Sequence, residues 1–173
     1  MTRFASLTAV AAAALISACA STAPSGPKAG ATLEPTRGNA AAGTVTFEQQ
    51  GERVLVTAKL SGLKPNQEHG FHAHEKGDCS SGDGMSTGGH FNPTGKPHGT
   101  QDAEHHAGDM PALKSDANGN AQASFELKGV TIGSGTADLV GRGLIVHAAP
   151  DDYTTQPTGN SGARIACGVI KLS

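Results

Sequence analysis

The sequence has no tryptophan, one tyrosine and five phenylalanines in 173 residues, so aliphatic side chains must supply most of any core. Acidic and basic residues nearly cancel, 15 against 13, for a net charge of −2 and a pI near 6.4. That balance offers nothing in favour of a nucleic-acid partner, and none is expected. Long apolar runs are missing except for Leu7 to Ile16, which is too short for a stable membrane span. No segment has convincing helical periodicity, and no internal repeat is visible. What is plentiful is glycine, at 24 residues, together with short alternating runs, which suits an all-β domain. The length fits one domain with a modest core.

The apolar run belongs to a leader. "MTRFASLTAVAAAALISAC" carries a positive charge at Arg3, then the apolar stretch, then small residues up to Cys19. This is the pattern of an export signal. "ISAC" also resembles a bacterial lipobox, with cleavage before Cys19 and lipid on its sulfur. The alternative is an ordinary signal peptide cut near Ala18 or Ala20. Residues 1–18 are therefore expected to be signal peptide, and residues 19–40, small, polar and Pro-bearing, a flexible tether. The folded domain is expected over 41–173. The expected location is the periplasm or cell envelope, with membrane contact only through a lipid on Cys19. Removing Cys19 from three cysteines leaves Cys79 and Cys167, an even pair in an oxidising compartment, so a disulfide is expected rather than two buried thiols.

From about Ala41 the chain alternates. "TVTF" (44–47) and "RVLVTAKL" (53–60), with Gln49-Gln50-Gly51 between them, predict a hairpin whose Val54, Val56, Ala58 and Leu60 face a core. An Asn-Gly turn in "SDANGNAQASFEL" leads into a strand carrying Ala121, Ala123, Phe125 and Leu127. Further strands are expected at 141–149 and 163–172. Between them lie two long irregular loops, 75–113 and 150–162. Unstructured stretches of that length need something to tie them down. The predicted architecture is a Greek-key antiparallel β-sandwich or flattened barrel of about eight strands with two long loops.

The ties are legible as histidines. His72 and His74 sit two apart in "GFHAHEKGD", which puts both on one face of a strand. His69, His72, His74, His90, His98, His105 and His106 all fall between positions 69 and 106, and His147 lies beyond. Clustered imidazoles with Asp109 in "HHAGD" suit zinc or copper, and do not suit calcium or magnesium.

"GFHAHEKGD", "GGHFNPTGKPHG", "HHAGD", "GRGLIVH" and "GNSGARIACGVI", in this order and spacing, resemble the bacterial copper/zinc superoxide dismutases over about Thr44 to Ile170. The resemblance implies one copper per subunit on His72, His74, His90 and His147, and one zinc on His90, His98, His106 and Asp109. Two four-coordinate ions need eight donor positions, and seven residues supply them if His90 serves both. Asp151 would link His72 to His98 and fix their tautomers. Asp152 is expected in a solvated turn. Arg164 would attract and hold the superoxide anion beside copper, with Lys76 or Lys96 as further steering charges. Cys79 and Cys167 would form the family's disulfide. His69 is expected in a framework role, and His105 at the surface. Ala73 is smaller than the aliphatic residue usual between the two ligands, a matter of packing alone. The implied activity is dismutation of superoxide to oxygen and hydrogen peroxide, with copper alternating between Cu(II) and Cu(I). The alternative is a non-catalytic copper-binding envelope lipoprotein, which would need neither Arg164 nor Asp151. The resemblance leaves monomer and homodimer both open.

Overall fold

The computed structural model describes Met1 and residues 26–173. The expected signal peptide, Cys19 and the first part of the expected tether lie outside the described residues. Ten strands follow one another: β1 (Lys28–Pro35), β2 (Ala42–Gln50), β3 (Arg53–Ser61), β4 (Glu68–His69), β5 (Phe71–His74), β6 (Leu113–Lys114), β7 (Ala121–Lys128), β8 (Gly143–His147), β9 (Arg164–Val169) and β10 (Lys171–Leu172). The described residues form no α-helix; a single 3₁₀ turn, Met85–Thr87, interrupts the first long loop.

Eight strands make one curled antiparallel sheet in the order β5-β8-β9-β1-β2-β3-β7, with β10 paired to β1, and β4 and β6 form a separate ladder. Two crossovers, β3 to β5 and β7 to β8, carry the chain from one edge to the other and give the half-barrel its Greek-key character. The predicted hairpin is present with a tighter turn than expected. Gln49 and Gln50 belong to β2, and Gly51 and Glu52 alone connect it to β3, Gly51 at φ +61°. Val45 pairs with Ala58, Phe47 with Val56, and Val56 in turn with Phe125 across β7, a row of contacts along the inner face. Val54, Val56, Ala58 and Leu60 are buried as predicted, as are Ala121 and Leu127; Ala123 and Phe125 are partly exposed against the same core.

One expectation fails. Residues 28–35 are not tether but β1, the strand between β2 and β9. Its inward side chains, Ala29, Ala31 and Leu33, are buried, yet two of the three are alanines. So small an apolar face gives almost no alternating signal. Pairing on both sides supplies what side chains do not: Lys28 to Leu33 with β2, Glu34 and Pro35 with β9, Ala29 and Gly30 with β10. The single expected strand over 163–172 is broken at Ile170, whose N–H turns to the Arg142 carbonyl.

Adjacent strands β5, β8 and β9 set up the site. Phe71 and Ala73 enter the core, leaving His72 and His74 on the opposite face under the long loop. In β9 an extra residue, Ile165, lies unpaired between the partners of Val146 and His147, so Arg164 falls directly opposite His147.

Candidate metal centre

Seven predicted ligands converge in two groups. Ligand atoms of His72, His74, His90 and His147 lie within 4.8 Å of one another, and so do those of His90, His98, His106 and Asp109. All seven residues are buried, and His90 belongs to both groups. Its ring stacks on His72 at 4.0 Å and stands 5.1–5.5 Å from the rings of His74, His98 and His106.

A second hydrogen bond sets the tautomer of each ring. His74 donates from Nδ1 to the Gly88 carbonyl at 2.9 Å, and His147 from Nδ1 to the Gly162 carbonyl at 3.1 Å. His72 and His98 donate from Nε2 to the two oxygens of Asp151, at 2.5 and 2.8 Å. What remains on the rings of the first group is a bare lone pair. His72 Nδ1, His74 Nε2, His90 Nε2, His98 Nδ1 and His147 Nε2 are buried with no hydrogen-bond partner. Orphaned polar atoms in such number are costly, at about 1–3 kcal/mol each, unless something occupies the space they face. Four of them belong to the first group, one from each imidazole.

In the second group Asp109 Oδ1 lies 2.8 Å from His90 Nδ1, 3.0 Å from His98 Nδ1 and 3.3 Å from His106 Nδ1, while His90 Nδ1 and His106 Nδ1 are 3.4 Å apart. A tetrahedral ion with bonds of about 2.0–2.1 Å has ligand-to-ligand edges of about 3.3 Å. The donors fit zinc. The other oxygen of Asp109 accepts from the backbone N–H groups of Gly99 and His106, which fixes the carboxylate.

The two groups differ electrostatically. Burial pushes His74 down to about 2, His147 to about 3 and His90 to about 4, with neighbouring rings adding to the effect at each, so these imidazoles are neutral donors. Burial would also lower His98, but the carboxylates of Asp109 and Asp151 outweigh it and raise that ring to about 9. For both acids burial acts upward and the histidine hydrogen bonds prevail, holding them well below the carboxylate range. One group is all-imidazole, while the other sets a carboxylate against its imidazoles, and that carboxylate favours the protonated form of His98 until a cation takes the proton's place.

Arg164 stands at the mouth. With His74, His90 and His147 it lines a cleft of about 330 Å³. Nη1 donates to the Gly84 carbonyl at 2.7 Å and to Thr87 Oγ1 at 2.8 Å, and Nη2 to the Gly88 carbonyl at 2.7 Å. Gly88 thus holds Arg164 and His74 by the same oxygen. The expected disulfide is present, Cys79 to Cys167 with Cα atoms 5.9 Å apart, and it ties the loop that holds Arg164 to the strand that carries it.

The remaining histidines are elsewhere. His69 is fully buried and donates from Nδ1 to the His147 carbonyl, a framework contact as predicted. His105 is half-buried, bonded to the His106 carbonyl, and lines a shallow surface pocket with Lys96 away from the cleft. Neither Lys76 nor Lys96 lines the cleft. Asp152 is exposed and closes its own turn, accepting from the N–H groups of Thr154 and Thr155. Several contributors were not foreseen, among them the carbonyls of Gly84, Gly88 and Gly162, the hydroxyl of Thr87, and Gln156, whose side chain grips the backbone N–H and carbonyl of His98. Backbone carbonyls carry no residue identity, so only the glycine-rich flanks "GGH" and "GNSG" hint at them.

A family profile described as copper/zinc superoxide dismutase matches residues 41–170. Superoxide dismutase [Cu-Zn] 2 of Aquifex aeolicus (strain VF5) is 41% identical over 149 residues, 83% of this chain and 86% of that one. Superoxide dismutase [Cu-Zn] of Paramecium bursaria Chlorella virus 1 is 41% identical over 135 residues, 74% of this chain and 71% of that one. Among solved structures, the clock protein EA4 superposes with a TM-score of 0.77 at 38% identity, covering 84% of this chain and 94% of that one. A SOD-like protein from Bacillus subtilis gives 0.73 at 34% identity, with coverage of 81% and 96%. Sequence order, curled sheet and paired donor groups all agree with that match: this chain belongs to the copper/zinc superoxide dismutase family.

Proposed function

We propose that the protein dismutates superoxide, with copper held by His72, His74, His90 and His147 and zinc by His90, His98, His106 and Asp109. The observation that carries this is the double membership of His90. Its Nε2 is an orphan in the all-imidazole group, and its Nδ1 faces Asp109 in the group with zinc-like edges. Bound copper supplies the one-electron couple that disproportionation requires, while zinc, which has no accessible second oxidation state, keeps its ligands in place.

The chain does the rest. Two superoxide anions and two protons give oxygen and hydrogen peroxide, so the site must attract a small anion and deliver protons. Arg164 does the first. Its guanidinium is pinned on one edge by three oxygens, which leaves it aimed at the cleft without the entropy of a mobile side chain. His90 lines the same cleft, so its Nε2, if released from copper, would be placed to take up a proton and hand it to the reduced product. Asp151 keeps His72 and His98 turned toward their groups. A storage protein would use the same histidines but has no need of a fixed cation at the entrance, where it repels incoming metal.

The disulfide supports an exported protein, since such bridges persist in oxidising compartments. We therefore keep the location as the periplasm or cell envelope, with residues 1–18 as signal peptide and a lipid on Cys19.

Metal analysis paired with a superoxide decay assay on the loaded full chain tests the proposal. Wild type should consume superoxide. His90→Ala should lose both ions together. Arg164→Ala should keep its copper spectrum and slow on the order of tenfold or more at low salt, less at high salt. A loaded wild type that leaves superoxide untouched would return the copper-storage alternative.

A further inference from the structure

The cleft is the open approach to the four-histidine group, because three of those rings line it and the zinc side is almost fully covered. The side chains of His98 and Asp109 are 0% exposed. The rim offers mostly hard donors: Thr158, Asn160 and Ser161, with Arg164 beside them. One side chain breaks the pattern. Met85 lines the same cleft and is 60% exposed.

A lone exposed apolar residue calls for no explanation. Position is what distinguishes this one. Met110 is 1% exposed in the core, and Cys79 and Cys167 are spent in their disulfide, so within residues 26–173 Met85 is the accessible soft donor; Met1, the other exposed methionine, lies outside the folded domain. It is also held. Met85 opens the 3₁₀ turn Met85–Thr87, its N–H donating to Asp83 Oδ1 at 2.9 Å and its carbonyl accepting from Gly88 N–H at 3.2 Å. Gly84 and Thr87 of that segment bind Arg164. The turn therefore fixes the Met85 backbone and the Arg164 guanidinium on one rim, with the thioether carried between them and the solvent.

We propose that Met85 is a transient entry site for Cu(I), capturing the ion at the rim and passing it to His74 and His147. The inference rests on the copper assignment above. Thioether sulfur selects Cu(I) over harder ions. Arg164 strengthens the choice, since its repulsion of an incoming cation scales with charge and is half as large for Cu(I) as for Cu(II). The transfer is a ligand exchange. The bond from Cu(I) to sulfur breaks as bonds form to His74 Nε2 and His147 Nε2, and copper remains Cu(I). No proton leaves, because both rings keep their hydrogens on Nδ1, bonded to the Gly88 and Gly162 carbonyls.

The test uses the full chain with zinc bound and copper absent, labelled with ¹³C in its methionine methyls. Ag(I), a redox-inert stand-in for Cu(I), should shift the Met85 methyl while leaving the buried Met110 methyl in place. Met85→Leu keeps the bulk and removes the sulfur. Anaerobic Cu(I) uptake should then slow on the order of tenfold, the loss typical when one supporting group of a metal site is removed, while Cu(II) uptake is unchanged. Equal Cu(I) uptake in wild type and Met85→Leu, or an unmoved Met85 methyl, would overturn the entry site and leave the copper assignment standing. If wild type retains no copper from either oxidation state, the copper assignment falls and the entry site with it.

Discussion

Gly159 shows how a residue without a side chain supports a metal site. It adopts φ +66°, and a Cβ there would lie 1.7 Å from Asp151 Oδ1 and 2.5 Å from His98 Nε2. Only a hydrogen fits over the carboxylate that joins the two groups. Gly159→Ala should push Asp151 off one or both rings and weaken zinc binding about 10–100-fold, as loss of a supporting hydrogen bond to a ligand does. Chelator competition measures this, and unchanged affinity would mean that Asp151 is dispensable. At this scale legibility followed chemistry. Imidazoles and Asp109 announce themselves by residue type and clustering, and Asp151 and Arg164 through the resemblance that their motifs carry. Gly159, Gly88 and Gly162 act through empty space or main-chain oxygen, which a sequence does not distinguish among 24 glycines. Tyr153, the single tyrosine, was equally silent, although its ring lies parallel to His98 with centroids 6.1 Å apart.

Among elements, the long first loop owes its shape to two different ties. Metal donors fix its far part, and the bridge between Cys79 and Cys167 fixes the part that cradles Arg164. With the cysteines 88 positions apart, closing that loop lowers the entropy of the unfolded chain by the equivalent of about 4–5 kcal/mol. Cys79→Ser should therefore melt about 8–20 °C lower by calorimetry for a chain of this size. Its superoxide turnover should fall further than its copper content, because the acceptors at Gly84, Thr87 and Gly88 lose their anchor to β9. A melting temperature equal to wild type would assign the loop's order to the metal donors alone. Strands were legible where branched side chains alternate, as in β3 with Val54, Val56 and Leu60. They were illegible where alanine does the same job, as in β1, whose order comes from its neighbours' hydrogen bonds.

For the whole molecule, β1 alters where the domain starts. The family match begins at residue 41, but a chain beginning there would lack the strand between β2 and β9. Its loss would bare the pairing edges of β2, β9 and β10 and uncover the core around Ala29, Ala31 and Leu33. Size-exclusion chromatography and circular dichroism should show a chain starting at Gly26 as folded, and one starting at Ala41 as aggregated or unfolded. Equal melting of the two would make β1 an accessory. The same strand also dictates a timetable. Ala29 is synthesised early, yet it pairs with Leu172, 143 positions later in the chain. Contacts so far apart in sequence close late. The sheet stays open through its middle until β10 has been made, so the emerging chain must remain unclosed, and exposed to chaperones and proteases, until Lys171 and Leu172 arrive.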